Sequence, residues 1–224
     1  MRRPVIALAA LVVLAGAFSP ACGSDGTEPI DGSEGSTGSA VPNGERVDTG
    51  AGEALVWGDG PYGVVLAHGA AYDAASWEEQ APRIADQGAT VVAVEDISPE
   101  GIEAGVAFLA DERGVDDVAL VGASAGAAGT MELVAAQPDL PDQIILLSPN
   151  SVVEGLGPSP KLFIASEDEP VADVSTRMAE ISDGDDNEAL LVPGSTHAQG
   201  LFETDQAEPV IDAMLDRLGE FADD

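Results

Sequence analysis

Seven short apolar runs recur from residue 54 onward: Ala54–Trp57, Val64–Ala67, Thr90–Val94, Val118–Val121, Ile144–Leu147, Leu162–Ala165 and Ala189–Val192. Most are continuous rather than alternating, as strands covered on both faces of a parallel sheet require. Between them the apolar positions fall at helical spacing. Trp77, Ala81, Ile84 and Ala85 form one face, and Ile102, Val106, Leu109 and Ala110 a second. Val174, Met178 and Ile181 form a third, and Ile211, Met214, Leu215 and Leu218 close the chain. Strand and helix alternate throughout, which predicts an α/β domain built on a doubly wound, mostly parallel sheet with helices on both faces.

The first 45 residues follow another pattern. A basic start, Met1-Arg2-Arg3, leads into an apolar stretch from Val5 to Phe18, too short for a comfortable membrane span, and then into small residues. Residues 1–21 therefore read as an export signal. Cys22, the only cysteine, follows directly and has no internal disulfide partner. Its position resembles the acylated cysteine of bacterial lipoproteins, with Ala21 before the cut, although Ser19 and Pro20 depart from the usual residues there. That resemblance implies an exported protein held by a lipid anchor on the extracytoplasmic face of the cell membrane, with plain secretion as the alternative. Residues 22–45 are mostly Gly, Ser, Thr, Asp, Glu and Pro, too poor in large apolar side chains to offset their ordering entropy. They read as a tether, about 20 residues giving a root-mean-square reach of roughly 25 Å. The folded domain is then expected over residues 46–224.

Composition narrows the partners. Asp and Glu number 41 against 8 Lys and Arg, for a formal net charge of −33. Such a chain repels a phosphate backbone, so nucleic acid is excluded as a partner. No histidine pair stands at metal-ligand spacing, and no glycine-rich dinucleotide or phosphate-binding loop appears, so neither a metal nor a cofactor is expected.

The chemistry gathers around Gly122-Ala123-Ser124-Ala125-Gly126, which follows the apolar run Val118–Val121 and precedes a small-residue helical stretch with Met131, Leu133 and Val134. A Gly-x-Ser-x-Gly between strand and helix reads as a nucleophile elbow, a sharp turn that lifts the serine onto its tip. Neighbouring elements crowd the positions two before and two after the serine, so both are expected to be glycine for want of space. A serine hydroxyl needs a base within hydrogen-bond reach. The chain offers only His68 and His197, each just after a predicted strand. A Ser-acid-His order uses Ser124, an acid after Leu162–Ala165, and His197; the reverse order uses His68, Asp96 and Ser124. The first puts all three groups at the C-terminal strand edge, where sites of α/β sheets form, and His197 is favoured for that reason.

Residues 54–221 resemble the α/β-hydrolases, with four landmarks in family order. His68-Gly69-Ala70 is similar to the turn that supplies an oxyanion-hole amide, and residues 122–126 to the elbow. Ala165-Ser166-Glu167-Asp168-Glu169-Pro170-Val171 is similar to the acid-bearing segment, and Gly194-Ser195-Thr196-His197 to the histidine loop. The resemblance implies Ser124 as nucleophile, His197 as base and Asp168 as its carboxylate partner, with Glu167 and Glu169 as rivals to Asp168. It implies an oxyanion hole from the amides of Ala125 and Ala70, with Ala71 as a rival to Ala70. His68 is then structural, Asp96 a turn or cap residue, and Trp77 a packing residue.

Only fourteen residues separate Leu147 from Leu162, where many such proteins carry a cap, so a cap-less form is expected, with elements before Ala54 missing or reduced. The expected activity is cleavage of small-molecule carboxylic esters, short acyl chains favoured, through an acyl-enzyme. Acyl transfer or perhydrolysis on the same residues is the alternative, and a non-catalytic lipid-anchored binding protein the rival from another class.

The export reading carries its own test. Intact-mass analysis of the mature protein is expected to give an N-terminal Cys22 with lipid attached; a later N-terminus or an unmodified thiol at Cys22 overturns it.

Overall fold

The structure is a computed structural model and describes residues 44–221. The signal segment, Cys22 and the tether up to residue 43 lie outside the described residues.

All seven apolar runs are strands: β2 (Glu53–Trp57), β3 (Tyr62–Ala67), β4 (Ala89–Val94), β5 (Val118–Ala123), β6 (Gln143–Leu147), β7 (Lys161–Ser166) and β8 (Asn187–Val192). An eighth, β1 (Glu45–Asp48), precedes them and pairs antiparallel with β2. The sheet order is β1-β2-β4-β3-β5-β6-β7-β8. β2 runs antiparallel to β4, and every pairing from β4 through β8 is parallel. β1 starts at Glu45, one residue before the expected domain boundary at 46, and is a reduced element before Ala54. β1 was not legible because it is a four-residue edge strand, mostly exposed, whose Glu45, Arg46 and Asp48 carry no apolar signal.

The helices are α1 (Ala81–Ala85), α2 (Pro99–Phe108), α3 (Ala125–Ala136), α4 (Ala172–Ile181) and α5 (Ala207–Phe221). They cover both faces, and alternate residues of each strand serve different layers. Val64, Leu66, Val121 and Ile164 pack with Trp77, Ile84, Ile211, Met214 and Leu218 on one face. Val65, Ala67, Leu120 and Phe163 pack with Ile102, Met131, Val134 and Met178 on the other. Burial on both faces is why the strands read as unbroken apolar runs rather than as alternations.

Two features place a site. The strand order reverses at β3, whose parallel neighbours are β4 on one side and β5 on the other, with Ala67 opposite Gly122. The loops after β3 and β5 therefore lie side by side at a topological switch point, where α/β sheets form their crevices. Residues 148–160, between β6 and β7, hold no helix or strand, so no cap covers that edge. One buried charge ties the opposite end. Lys161 Nζ donates to the carbonyls of Gly157, Ser159 and Asp183 at 2.6–2.9 Å. Burial lowers its pKa to about 8, so at neutral pH it keeps the third proton that the three carbonyls use.

Candidate active site

The elbow meets its steric requirement. A Cβ on Gly122 would lie 2.7 Å from both Ala127 Cα and Thr130 Oγ1. One on Gly126 would lie 2.3 Å from the Ala67 carbonyl oxygen and 2.6 Å from that of His68. Only hydrogen fits at either place, which lets α3 start hard against the ends of β3 and β5. Ser124, between them, takes φ 51 and ψ −104, a conformation that non-glycine residues rarely hold and that costs about 1–3 kcal/mol. Bonds on both sides hold it there: the Ser124 amide donates to Leu147 O at 2.9 Å, and its carbonyl accepts from the Ala128 amide at 3.1 Å.

Ser124 Oγ lies 2.8 Å from His197 Nε2, and His197 Nδ1 lies 2.5 Å from Glu169 Oε2. β8 stands three strands from β5, roughly 14 Å at ordinary strand spacing, so the loop from Pro193 to His197 is what brings the imidazole back to the serine. The tautomer follows from the partners. A carboxylate only accepts, so Nδ1 carries the proton and Nε2 is left to accept the Ser124 hydroxyl. The imidazole is half exposed, while the Glu169 side chain is wholly buried.

The expected partner of His197 was Asp168, and here the structure corrects the sequence. The Glu167 and Asp168 amides extend the ladder of β7, donating to Val192 O at 2.8 Å and Gly194 O at 2.9 Å, and both side chains are exposed. β7 ends at Ser166 and the chain turns over Glu167 and Asp168; the Glu169 amide closes the turn on Ser166 O at 3.3 Å, and the Glu169 carboxylate swings inward. Its Oε1 accepts from the Ser148 hydroxyl at 2.7 Å and from the Ser166 amide at 2.9 Å, and its Oε2 faces the imidazole. With three donors the buried carboxylate is satisfied.

Ser148 was missed. It follows β6 with φ 47, is fully buried, and its Oγ also accepts the Ala198 amide at 2.8 Å, tying the acid to the residue after His197. A serine directly past a strand's C-terminal end is the signal that was available. The non-glycine residues with positive φ among those described are Ser124, Ser148 and Ala198, so backbone strain is concentrated at this one place.

His68 does not reach the serine. Its Nδ1 lies 2.8 Å from Gly69 O and its Nε2 3.2 Å from Glu95 O. The ring thereby grips the carbonyl of the Gly69–Ala70 peptide, which the Tyr72 amide also holds at 2.9 Å. The amides of Gly69 and Gly126 are engaged too, by Gln199 Oε1 and by His68 O. Ala125, first in α3, has no intrahelical acceptor, and the amides of Ala70, Ala71 and Ala125 have no hydrogen-bond partner among the described residues. Because Gly69 O is pinned, the planar peptide fixes the direction of the Ala70 N–H opposite to it. Asp96 caps a turn, accepting from the Ser98 amide at 2.9 Å. Trp77 is fully buried, edge-on to Phe202. A cleft of about 300 Å³ opens where Tyr72, Ser76, Gln199 and Phe202 meet, with Glu78 and Glu203 in its wall. Burial, and then the Glu203 carboxylate beside it, push the Tyr72 phenol up.

No family model matches the chain, and no curated protein matches it. Solved structures do. A monoacylglycerol lipase from Paleococcus ferrophilus aligns with a TM-score of 0.64 at 14% identity, over 79% of this chain and 99% of its own. A predicted CIB-like hydrolase from Thermoplasma acidophilum aligns with a TM-score of 0.62 at 18% identity, over 79% and 97%. Epoxide hydrolase A from Mycobacterium thermoresistibile aligns with a TM-score of 0.61 at 17% identity, over 77% and 97%. Identities this low speak for the fold alone. The chain has the α/β-hydrolase fold, without a cap domain.

The elbow geometry makes a direct prediction. Gly126→Ala is expected to lower stability by about 1–3 kcal/mol through overpacking, whereas a Cβ on Gly69 meets nothing closer than 3.4 Å and Gly69→Ala should cost less. Urea midpoints of the two variants check this.

Proposed function

We propose that the protein is a cofactor-independent serine hydrolase acting on carboxylic esters through Ser124, His197 and Glu169. The observation that carries this reading is the unbroken chain from Ser124 Oγ to His197 Nε2 at 2.8 Å and from His197 Nδ1 to Glu169 at 2.5 Å. In the proposed reaction Ser124 Oγ attacks the ester carbonyl as its proton passes to His197 Nε2. Glu169 holds the tautomer and stabilises the imidazolium. The amides of Ala70 and Ala125, the latter at the start of α3, donate to the oxyanion. The imidazolium returns its proton to the departing alcohol. Water, deprotonated by the same imidazole, then attacks the acyl-enzyme, and the imidazolium returns that proton to Ser124 Oγ as the acid leaves. The fold alone does not choose this chemistry, since one structural neighbour is a lipase and another an epoxide hydrolase. A serine on the elbow, with an imidazole able to take its proton, favours acyl transfer to water.

The test is labelling by a fluorophosphonate probe alongside ester turnover. Wild type is expected to label and turn over, and Ser124→Ala and His197→Ala to lose both. The contact of Glu169 with His197 supports Glu169 as the acid. Glu169→Gln is expected to lower kcat by about two orders of magnitude or more, and Asp168→Asn to stay within about twofold. The reverse pattern in folded variants restores Asp168 as the partner. Absence of labelling in a folded wild type overturns the reading altogether.

The substrate reading is a short-chain ester. No helix or strand covers the edge at residues 148–160, so no cap supplies an apolar wall for a long acyl chain. A buried methylene contributes about 0.8 kcal/mol only where there is apolar surface to bury it against. On p-nitrophenyl esters, kcat/KM is therefore expected to peak at roughly two to six acyl carbons, with no rise at a lipid–water interface. A steady climb through about twelve carbons overturns this.

A further inference from the structure

Gln199 lies two residues beyond His197 in the short 3-10 helix Ala198–Glu203 and is 3% exposed. Its two amide atoms serve two other segments. Oε1 accepts the Gly69 amide at 2.6 Å, and Nε2 donates to Ser76 Oγ at 2.7 Å. Ser76 is itself fixed, its amide donating to Asp73 Oδ1 at 3.1 Å and its hydroxyl to Asp73 O at 2.5 Å. The side-chain orientation is dictated by this network, because the Gly69 N–H requires the oxygen.

We infer that Gln199 is a positioning residue, which aims the Ala70 amide at the oxyanion by clamping the peptide before it. This rests on the serine-hydrolase reading and adds to it. The turn after β3 contains two peptide planes that meet at Gly69. The downstream plane carries the Ala70 N–H and is held at its carbonyl by His68 and Tyr72. The upstream plane is held at His68 O by the Gly126 amide at 3.0 Å, and at the Gly69 N–H by Gln199 alone among the described residues. Nothing intrinsic restrains the hinge between the planes. Glycine is the most permissive residue, and around Gly69 even an added Cβ would meet only ordinary contacts at 3.4–3.7 Å. Hydrogen bonds must therefore supply the rigidity that sterics do not. Without Gln199 the upstream plane keeps one anchor, a buried N–H loses its acceptor, and rotation about Gly69 re-aims the Ala70 amide. The donors of an oxyanion hole act on charge that develops in the transition state, so the loss falls on kcat and leaves substrate binding alone.

The experiment uses Gln199→Met, which keeps the length of the side chain and removes both hydrogen bonds, and Gln199→Ala, in the mature protein. Turnover of p-nitrophenyl butyrate is measured together with inhibition by an alkyl trifluoromethyl ketone, whose hemiketal adduct with serine carries the oxyanion. The expected result is a fall in kcat of roughly tenfold to a hundredfold with KM within about threefold. The ketone's Ki should rise by a factor similar to the loss in kcat. Thermal unfolding checks that the variants fold. Should neither fold, Ser76→Ala, which frees only the far end of the clamp, is expected to show the same pattern at smaller amplitude. Folded variants with kcat within about twofold of wild type, a loss confined to KM, or an unchanged Ki each overturn the role of Gln199, as does an unaffected Ser76→Ala where it is the variant read. A wild type that neither turns over ester nor takes the fluorophosphonate overturns the underlying reading, and this one with it.

Discussion

The close approach of α3 to the end of β3 sets the geometry of everything at the C-terminal edge. It exists because Gly126 has no side chain: its would-be Cβ falls inside the contact distance of two carbonyl oxygens, and its amide instead donates to His68 O. That one contact joins the elbow to the loop after β3. With α3 so placed, the turn at Ser124 has no relaxed conformation open to it, and the positive φ is the result. The strain is sustained because the bonds to Leu147 O and from the Ala128 amide lie on either side of it. Local cost is thus exchanged for a serine that stands clear of the sheet, at the point where the strand order reverses.

From that point the site is assembled strand by strand along the edge. β3 contributes the loop with Ala70, β5 the serine, β6 Ser148, β7 Glu169, and β8 the loop that carries His197 back. Each contribution is locked to one from another strand, as when Ser148 Oγ accepts a hydrogen bond from the Ala198 amide and donates one to Glu169. Such cross-ties fix side chains that single loops would leave free, and preorganisation of this kind is what electrostatic stabilisation of a transition state requires.

How much of this was legible follows from which forces write themselves into composition. Burial on two faces leaves an unbroken apolar run, so the inner strands could be read, and crowding at the elbow leaves two glycines. β1 leaves no such mark, since an exposed edge strand satisfies its backbone on one side and presents charge on the other. The acid was visible only as a choice among three. Glu167, Asp168 and Glu169 are chemically near-equal, and what separates them is their place in the turn after β7, whose central residues Glu167 and Asp168 face solvent while Glu169, closing it, faces inward. That is a property of the backbone of two strands, Val192 and Gly194 included, and no residue type encodes it. Gln199 was unreadable for a similar reason: its partners stand 130 and 123 positions away.

Acidity and site chemistry meet in Glu169. In a chain with 41 acidic residues, it is the buried carboxylate among the described residues, and it is buried with three donors around it. The other carboxylates among the described residues face water, wholly or in part, where a Debye length of about 8 Å at physiological ionic strength confines their field. An oxyanion formed at Ser124 would still sit on a strongly negative protein, and long-range potential alone would oppose it. Contacts at hydrogen-bond distance escape that screening. For the chemistry proposed here, amides held in a fixed direction are therefore a requirement that the surface charge makes stricter. The hydrogen bonds that pin the two peptides at Gly69 are the part of the structure that meets it.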